Sequence, residues 1–150
     1  MVDSEGMDKR FDELEVGDVM SAGVISCEPD TPLRTVARLM VRYDIHAVYV
    51  LDPDDAKLWG LVSDLDLVAG ASAGVDGRTA GESAITPLVI VAADDALDHA
   101  AELMSGYGVG HLAVVDPATR VPVGVVSTLD VARAIAADRP RETRLLGLRR

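Results

Sequence analysis

Displaced by 64 positions, the chain aligns with itself: residues 17–67 fall on 81–131 without a gap, and 15 of those 51 pairs are identical. The matches include Gly17/Gly81, Asp30/Asp94, Leu33/Leu97, Met40/Met104, Tyr43/Tyr107, Asp52/Asp116, Pro53/Pro117 and Gly60/Gly124. They close with Val62-Ser63-x-Leu65-Asp66 against Val126-Ser127-x-Leu129-Asp130. A duplication of this kind constrains the fold strongly, because whatever the first copy forms the second must form too.

Each copy spells the same elements. A short β-run (24–27; 88–91) leads through an acidic turn into a helical segment (32–43; 96–107). There Leu33, Val36, Ala37 and Met40, and Leu97, Ala100, Ala101 and Met104, recur at helical spacing. Pro32 suits a first helical turn, where its missing N–H would have had no partner. An apolar run follows (47–51; 112–115), ends at Asp-Pro, and is answered after a short connection by a second run (58–62; 123–126), the pattern of a hairpin. A further helix starts near Asp64 and Thr128. The unit is therefore β-α-β-β-α, about 60 residues, too small to bury a robust core alone. Packing the two sheets against each other resolves this and gives one α/β (α+β) globule with pseudo-two-fold symmetry. The expected divisions are a lead-in at 1–15, a first repeat at 16–69, a Gly-rich linker at 70–79, a second repeat at 80–137 and a basic tail at 138–150.

Composition narrows the function classes. The formal charge of the 150 residues is -11, which repels a phosphate backbone and disfavours nucleic acid as a partner. Residues 139–150 alone carry five arginines against Glu142, a local +4 that leaves -15 elsewhere. No apolar run approaches the ~18–20 residues of a membrane span, and the charged N-terminus lacks the apolar core of a signal peptide. A cytoplasmic protein is expected. The single cysteine, Cys27, can form no internal disulfide and leaves no zinc-type cluster, so no metal site is expected.

The duplicated unit, with Gly-Leu-Val-Ser63-x-x-Asp66 and Gly-Val-Val-Ser127-x-x-Asp130 closing its copies and Val16-Gly17-Asp18-Val19-Met20-Ser21 opening the first, resembles the tandem cystathionine-β-synthase (CBS) domain pair, or Bateman module. Two departures stand out: Tyr49-Val50 and Ala113-Val114 occupy positions where the family often has Pro-Val, and Ala84 replaces the opening Met in the second copy. The resemblance implies a regulatory module binding an adenosine-containing ligand (AMP, ADP, ATP or S-adenosylmethionine) in clefts between the copies, with no other cofactor. It also implies a homodimer built through helix faces, here Leu129, Val131, Ala132, Ile135, Leu97, Ala101 and Met104, and a protein partner that receives the signal.

Carried onto this chain, the family pattern assigns the ribose hydroxyls to Asp130 and Asp66. Ser127, Thr128, Ser63 and His111 fall to phosphate or ribose. The residue chemistry agrees: a carboxylate accepts hydrogen bonds from a diol, and a serine at a helix N-terminus offers a hydroxyl, backbone N–H groups and the positive dipole end. Adenine needs flat apolar walls, which Val24, Ile25, Ile45, Ala47, Leu88, Val89, Val109 and Leu112 can form. [ST]-x-x-[DE] is equally a helix capping box that needs no ligand, and the two roles can coexist. His111 has Ala47 as its mate, so the second copy's cleft is expected to be the better equipped; His46, one position off, is expected on the opposite face of its strand. No Gly-x-Ser-x-Gly elbow accompanies Ser127, and no catalytic residue is assigned. The alternative function is a structural dimerisation module with degenerate, ligand-free clefts.

Overall fold

The computed structural model describes residues 9–84 and 88–138; the arginine-rich tail from Arg139 onward lies outside the described residues. A short 3-10 turn at Phe11–Glu13 precedes α1 (Val16–Val19), β1 (Ser21–Ala22), β2 (Ser26–Cys27), α2 (Leu33–Tyr43), β3 (Ala47–Leu51), β4 (Leu58–Ser63) and α3 (Asp64–Ala73). The second copy gives α4 (Ala80–Ser83), β5 (Ile90–Ala92), α5 (Leu97–Tyr107), β6 (His111–Val115), β7 (Pro122–Ser127) and α6 (Thr128–Ala137). Helix α3 thus continues four residues into the Gly-rich segment at 70–79.

Two mixed sheets result, β2-β3-β4 and β1-β7-β6-β5. In each, the first strand of the copy runs parallel to the next (β2 with β3, β5 with β6), and the hairpin closes antiparallel. The repeat holds down to register. Ala47 pairs with Ser63 as His111 pairs with Ser127, and the bulges fall between Val50 and Leu51 and between Val114 and Val115, 64 residues apart. Helices α2 and α5 end at Asp44 (φ 52) and Gly108 (φ 65), both in the left-handed conformation that closes a helix.

Each sheet buries one face under its own helices. Leu33, Val36 and Met40 of α2 pack on Val48, Val50 and Val62, and Leu97, Ala100 and Met104 of α5 pack on Leu112, Val114 and Val126. Leu97 and Met104 are therefore core residues and not dimer surface, because the apolar stripe of α5 is turned to its sheet; Leu129 and Ile135 on α6 do remain exposed. The other faces of the sheets meet around Ala47, Tyr49, Leu61 and Ala113. Tyr49, 1% exposed, fills this seam; its hydroxyl donates to the Gly124 carbonyl and accepts from the Val114 N–H at 3.0 Å. Burial pushes the phenol up to about 12.

The copies also exchange their opening segments. Val16 and Gly17 donate to the Asp95 and Ala93 carbonyls, while Ala80 and Gly81 donate to those of Thr31 and Pro29, the same bonds 64 residues apart. Leu14 accepts from the Leu97 N–H and Arg78 from that of Leu33, so each long helix is started by the other copy's lead-in. A Cβ on Gly17 would stand 3.0 Å from the Ala93 carbonyl, and one on Gly81 3.0 Å from that of Pro29, which explains why glycine occupies both positions. β1 continues the exchange by pairing with β7 of the second copy before the chain crosses back to β2.

Candidate functional site

Where the chain crosses from β1 to β2 it leaves a gap between the copies. Gly23 makes the turn at φ 102, a conformation that side chains disfavour, and its N–H donates to the Val123 carbonyl. Residues 21–25 form one wall of a cleft of about 250 Å3, also lined by Asp44, Ile45, His46 and Ala47 from the first copy and His111, Val125, Ser127 and Asp130 from the second. Val24, Ile25, Ile45 and Ala47, expected as adenine walls, thus face Ser127, Asp130 and His111, expected as polar contacts. The apolar wall comes from one repeat and the acid from the other.

Asp130 is 6% exposed. Its Oδ2 accepts from the Ser127 N–H at 2.8 Å and the Ser127 hydroxyl at 3.0 Å, while the Asp130 N–H donates to Ser127 Oγ at 3.2 Å. The capping box is therefore complete without a ligand. It occupies Oδ2 and leaves Oδ1, 3.8 Å from the Arg133 guanidinium, with capacity to accept from a diol.

The pseudo-symmetric crevice, lined by Leu61, Ser63, Leu88, Val89, Val109, Gly110 and His111, holds only about 20 Å3. One difference between the two is His111 for Ala47: the symmetric position carries an imidazole where the open cleft has a methyl group. Leu88 and Leu61 likewise replace Val24 and Val125. Leu88, Val89, Val109 and Ser63 therefore border a filled seam. Asp66 repeats the capping box with Ser63, accepting from its N–H at 2.7 Å and its hydroxyl at 3.0 Å, but lines neither crevice. Thr128 is exposed and outside both, and Leu112 is fully buried beneath β6 on the helix side of its sheet.

His111 borders both crevices. Burial lowers its pKa from the usual imidazole value; Asp64, Asp130 and Asp66 raise it and His46 lowers it further, with burial prevailing. Burial thus favours the uncharged imidazole. His46 does not point away as the strand alternation suggested. It precedes β3, outside the alternating segment, and its ring stacks on His111 with centroids 6.5 Å apart and planes 17° apart. Its Nδ1 lies 3.0 Å from Asp64 Oδ2. Sequence reasoning also missed Asp44, Ser21 and Ala22; nothing local to them signalled a cleft. Among the described residues no three His, Cys, Asp or Glu side chains are placed to hold a metal ion, and no helix is long and apolar enough to cross a membrane.

A family model of the CBS domain matches residues 16–72 and again residues 81–137. The chain belongs to the CBS domain family. Hypoxic response protein 1 of Mycobacterium tuberculosis is 32% identical over 119 residues, 77% of this chain and 81% of that protein. L-aspartate semialdehyde sulfurtransferase of Methanocaldococcus jannaschii is 29% identical over 119 residues, but the chain, matched over 79% of its own length, spans only 22% of that protein. Among solved structures, the CBS domain pair of protein MJ0100, in complex with 5′-methylthioadenosine and S-adenosyl-L-methionine, superposes with a TM-score of 0.73 at 24% identity, over 82% of this chain and 96% of that one. CBSX2 in complex with AMP gives 0.63 at 27% identity, over 81% and 96%. The tandem CBS architecture, two repeats forming two sheets, is thus established.

Proposed function

We propose that this CBS pair is a regulatory module that binds an adenosine-containing ligand in its open cleft and passes occupancy to a protein partner from a cytoplasmic homodimer. The observation that carries the reading is the pairing of a flat apolar wall (Val24, Ile25, Ile45, Ala47) on one repeat with Asp130 on the other. Adenine can lie on the wall while the ribose hydroxyls donate to Asp130 Oδ1, with Ser127 beside them. The relatives bound to AMP and to S-adenosyl-L-methionine support the ligand class. Because the cleft is made from both repeats, a ligand draws them together through the exchanged lead-ins, a route by which occupancy reaches the outer helices. Exposed Leu65 and Val68 on α3 and Leu129 and Ile135 on α6 offer apolar surface for a second copy. The site has a capped serine and a neutral histidine but no geometry that activates a nucleophile, so the proposed role is binding without catalysis.

A ligand that binds only the folded state stabilises it by about 2.7 kcal/mol at a hundred times its Kd. Melting the chain with adenosine, AMP, ATP and S-adenosylmethionine at millimolar concentration should raise Tm by several degrees for at least one of them. A flat response to all four rejects the sensing role and favours the second reading, a structural dimerisation module. That reading draws on the closure of the symmetric crevice to about 20 Å3.

A further inference from the structure

We infer that the open cleft selects adenine nucleosides whose 5′ substituent is neutral or cationic and discriminates against nucleoside phosphates. The inference rests on the adenosyl reading above and concerns what the 5′ carbon carries. Among the described residues no lysine or arginine lines the cleft, whereas two carboxylates, Asp44 and Asp130, do. Arg133 is the cation at its rim; it lies 3.8 Å from Asp130 Oδ1, 70% exposed, so its charge is matched by an acid. His46 Nδ1 lies 3.0 Å from Asp64 Oδ2, and burial works against a charge on His111.

The helix end adds little for an anion. Of the first-turn donors of α6, the Thr128 N–H goes to the Gly110 carbonyl at 2.9 Å and the Asp130 N–H to Ser127 Oγ at 3.2 Å, which leaves the Leu129 N–H as the single first-turn donor with no acceptor among the described residues. The Ser127 N–H and hydroxyl both point at the Asp130 carboxylate. Phosphate recognition at a helix N-terminus depends on such groups being available, and here the protein's own carboxylate has taken the anion's place. A dianionic phosphate entering the cleft meets two carboxylates and no lysine or arginine in the lining; a sulfonium meets opposite charge. The volume, about 250 Å3, lies just under the roughly 300–1,000 Å3 of ligand pockets, so the selection rests on charge and not on size.

The test is calorimetry on the full chain at pH 7.5 and low salt with adenosine, 5′-methylthioadenosine, S-adenosylmethionine, AMP and ATP, repeated on Asp44→Asn. Asparagine tolerates the left-handed conformation of position 44, so the variant removes charge and keeps the helix end. Expected are comparable or tighter binding of the two sulfur compounds relative to adenosine, AMP at least tenfold weaker than adenosine, and ATP weaker still. Removing one facing carboxylate should narrow the adenosine-to-AMP ratio about fivefold. AMP binding as tightly as adenosine, or a ratio unmoved in Asp44→Asn, overturns the charge selection while leaving the adenosyl site intact. Binding of none of the five removes the site and the selection together.

Discussion

Asp130→Ala and Asp66→Ala form a matched pair, because the repeat supplies the same capping box twice, while only Asp130 lines the cleft of about 250 Å3. Each carboxylate accepts from its serine N–H and hydroxyl and each acid's N–H donates back, at 2.8, 3.0 and 3.2 Å for Asp130 and 2.7, 3.0 and 3.4 Å for Asp66. Loss of such a cap costs about 1 kcal/mol, more where it strands a buried donor, so both variants should melt roughly 3–6 °C lower. Ligand binding separates them. An adenosine-sized ligand of about 19 heavy atoms at ~0.3 kcal/mol per atom binds with roughly 6 kcal/mol, a Kd on the order of 50 μM. Losing hydrogen bonds to a charged acceptor costs about 1.5–3 kcal/mol, a 10- to 150-fold weakening. Asp130→Ala should therefore bind in the millimolar range, and Asp66→Ala as the parent does. Calorimetry with adenosine and with S-adenosylmethionine on all three proteins reads the difference. Equal weakening in both variants, or none in Asp130→Ala, refutes the assignment of Asp130 as the diol acceptor.

Three further outcomes follow from the same contacts. Tyr49→Phe removes the hydroxyl that bridges the Val114 N–H and the Gly124 carbonyl at the seam between sheets and should lose about 1 kcal/mol in urea unfolding. The parent should lose stability as pH rises from about 10, the unfolded phenol value, towards about 12, the folded one, since the raised pKa stabilises the protonated form; Tyr49→Phe should lack that contribution. His111, whose folded pKa is lowered, contributes stability present above about 6.5 and lost as pH falls towards its folded value. Melting curves at pH 7 and pH 5 should therefore converge in His111→Gln relative to the parent, and an unchanged gap would contradict the buried neutral imidazole.

His111 also shows how tertiary contacts revise a pattern. Placed by sequence opposite a phosphate, it would release an anion as pH rose past about 6.5. In the fold it lies between the two crevices, buried enough that the proton leaves at lower pH, and it contributes bulk where cationic charge had been expected. His46 went astray for a related reason: strand alternation was extended one residue beyond the strand's start at Ala47.

The order of elements, the hairpins, both capping boxes and the membership of a tandem CBS pair were legible in the chain. They depend on local periodicity, turn chemistry and a 64-residue self-match, all of which are one-dimensional. The candidate adenine walls were legible as apolar strand residues, but three of the eight, Leu88, Val89 and Val109, border the crevice of about 20 Å3, and Leu112 faces the helices. Only the three-dimensional packing could choose. Both copies close with Val-Ser-x-Leu-Asp, so Asp66 and Asp130 carry the same local signal. Their surroundings diverge because the two crevices differ in lining: Asp130 borders the larger one, and Asp66 borders neither. The cleft lining, like the exchange of lead-ins that brings Val16 to the second core and Ala80 to the first, joins residues far apart in the chain, as the Val16–Asp95 and Ala80–Thr31 bonds do, beyond the reach of any local pattern.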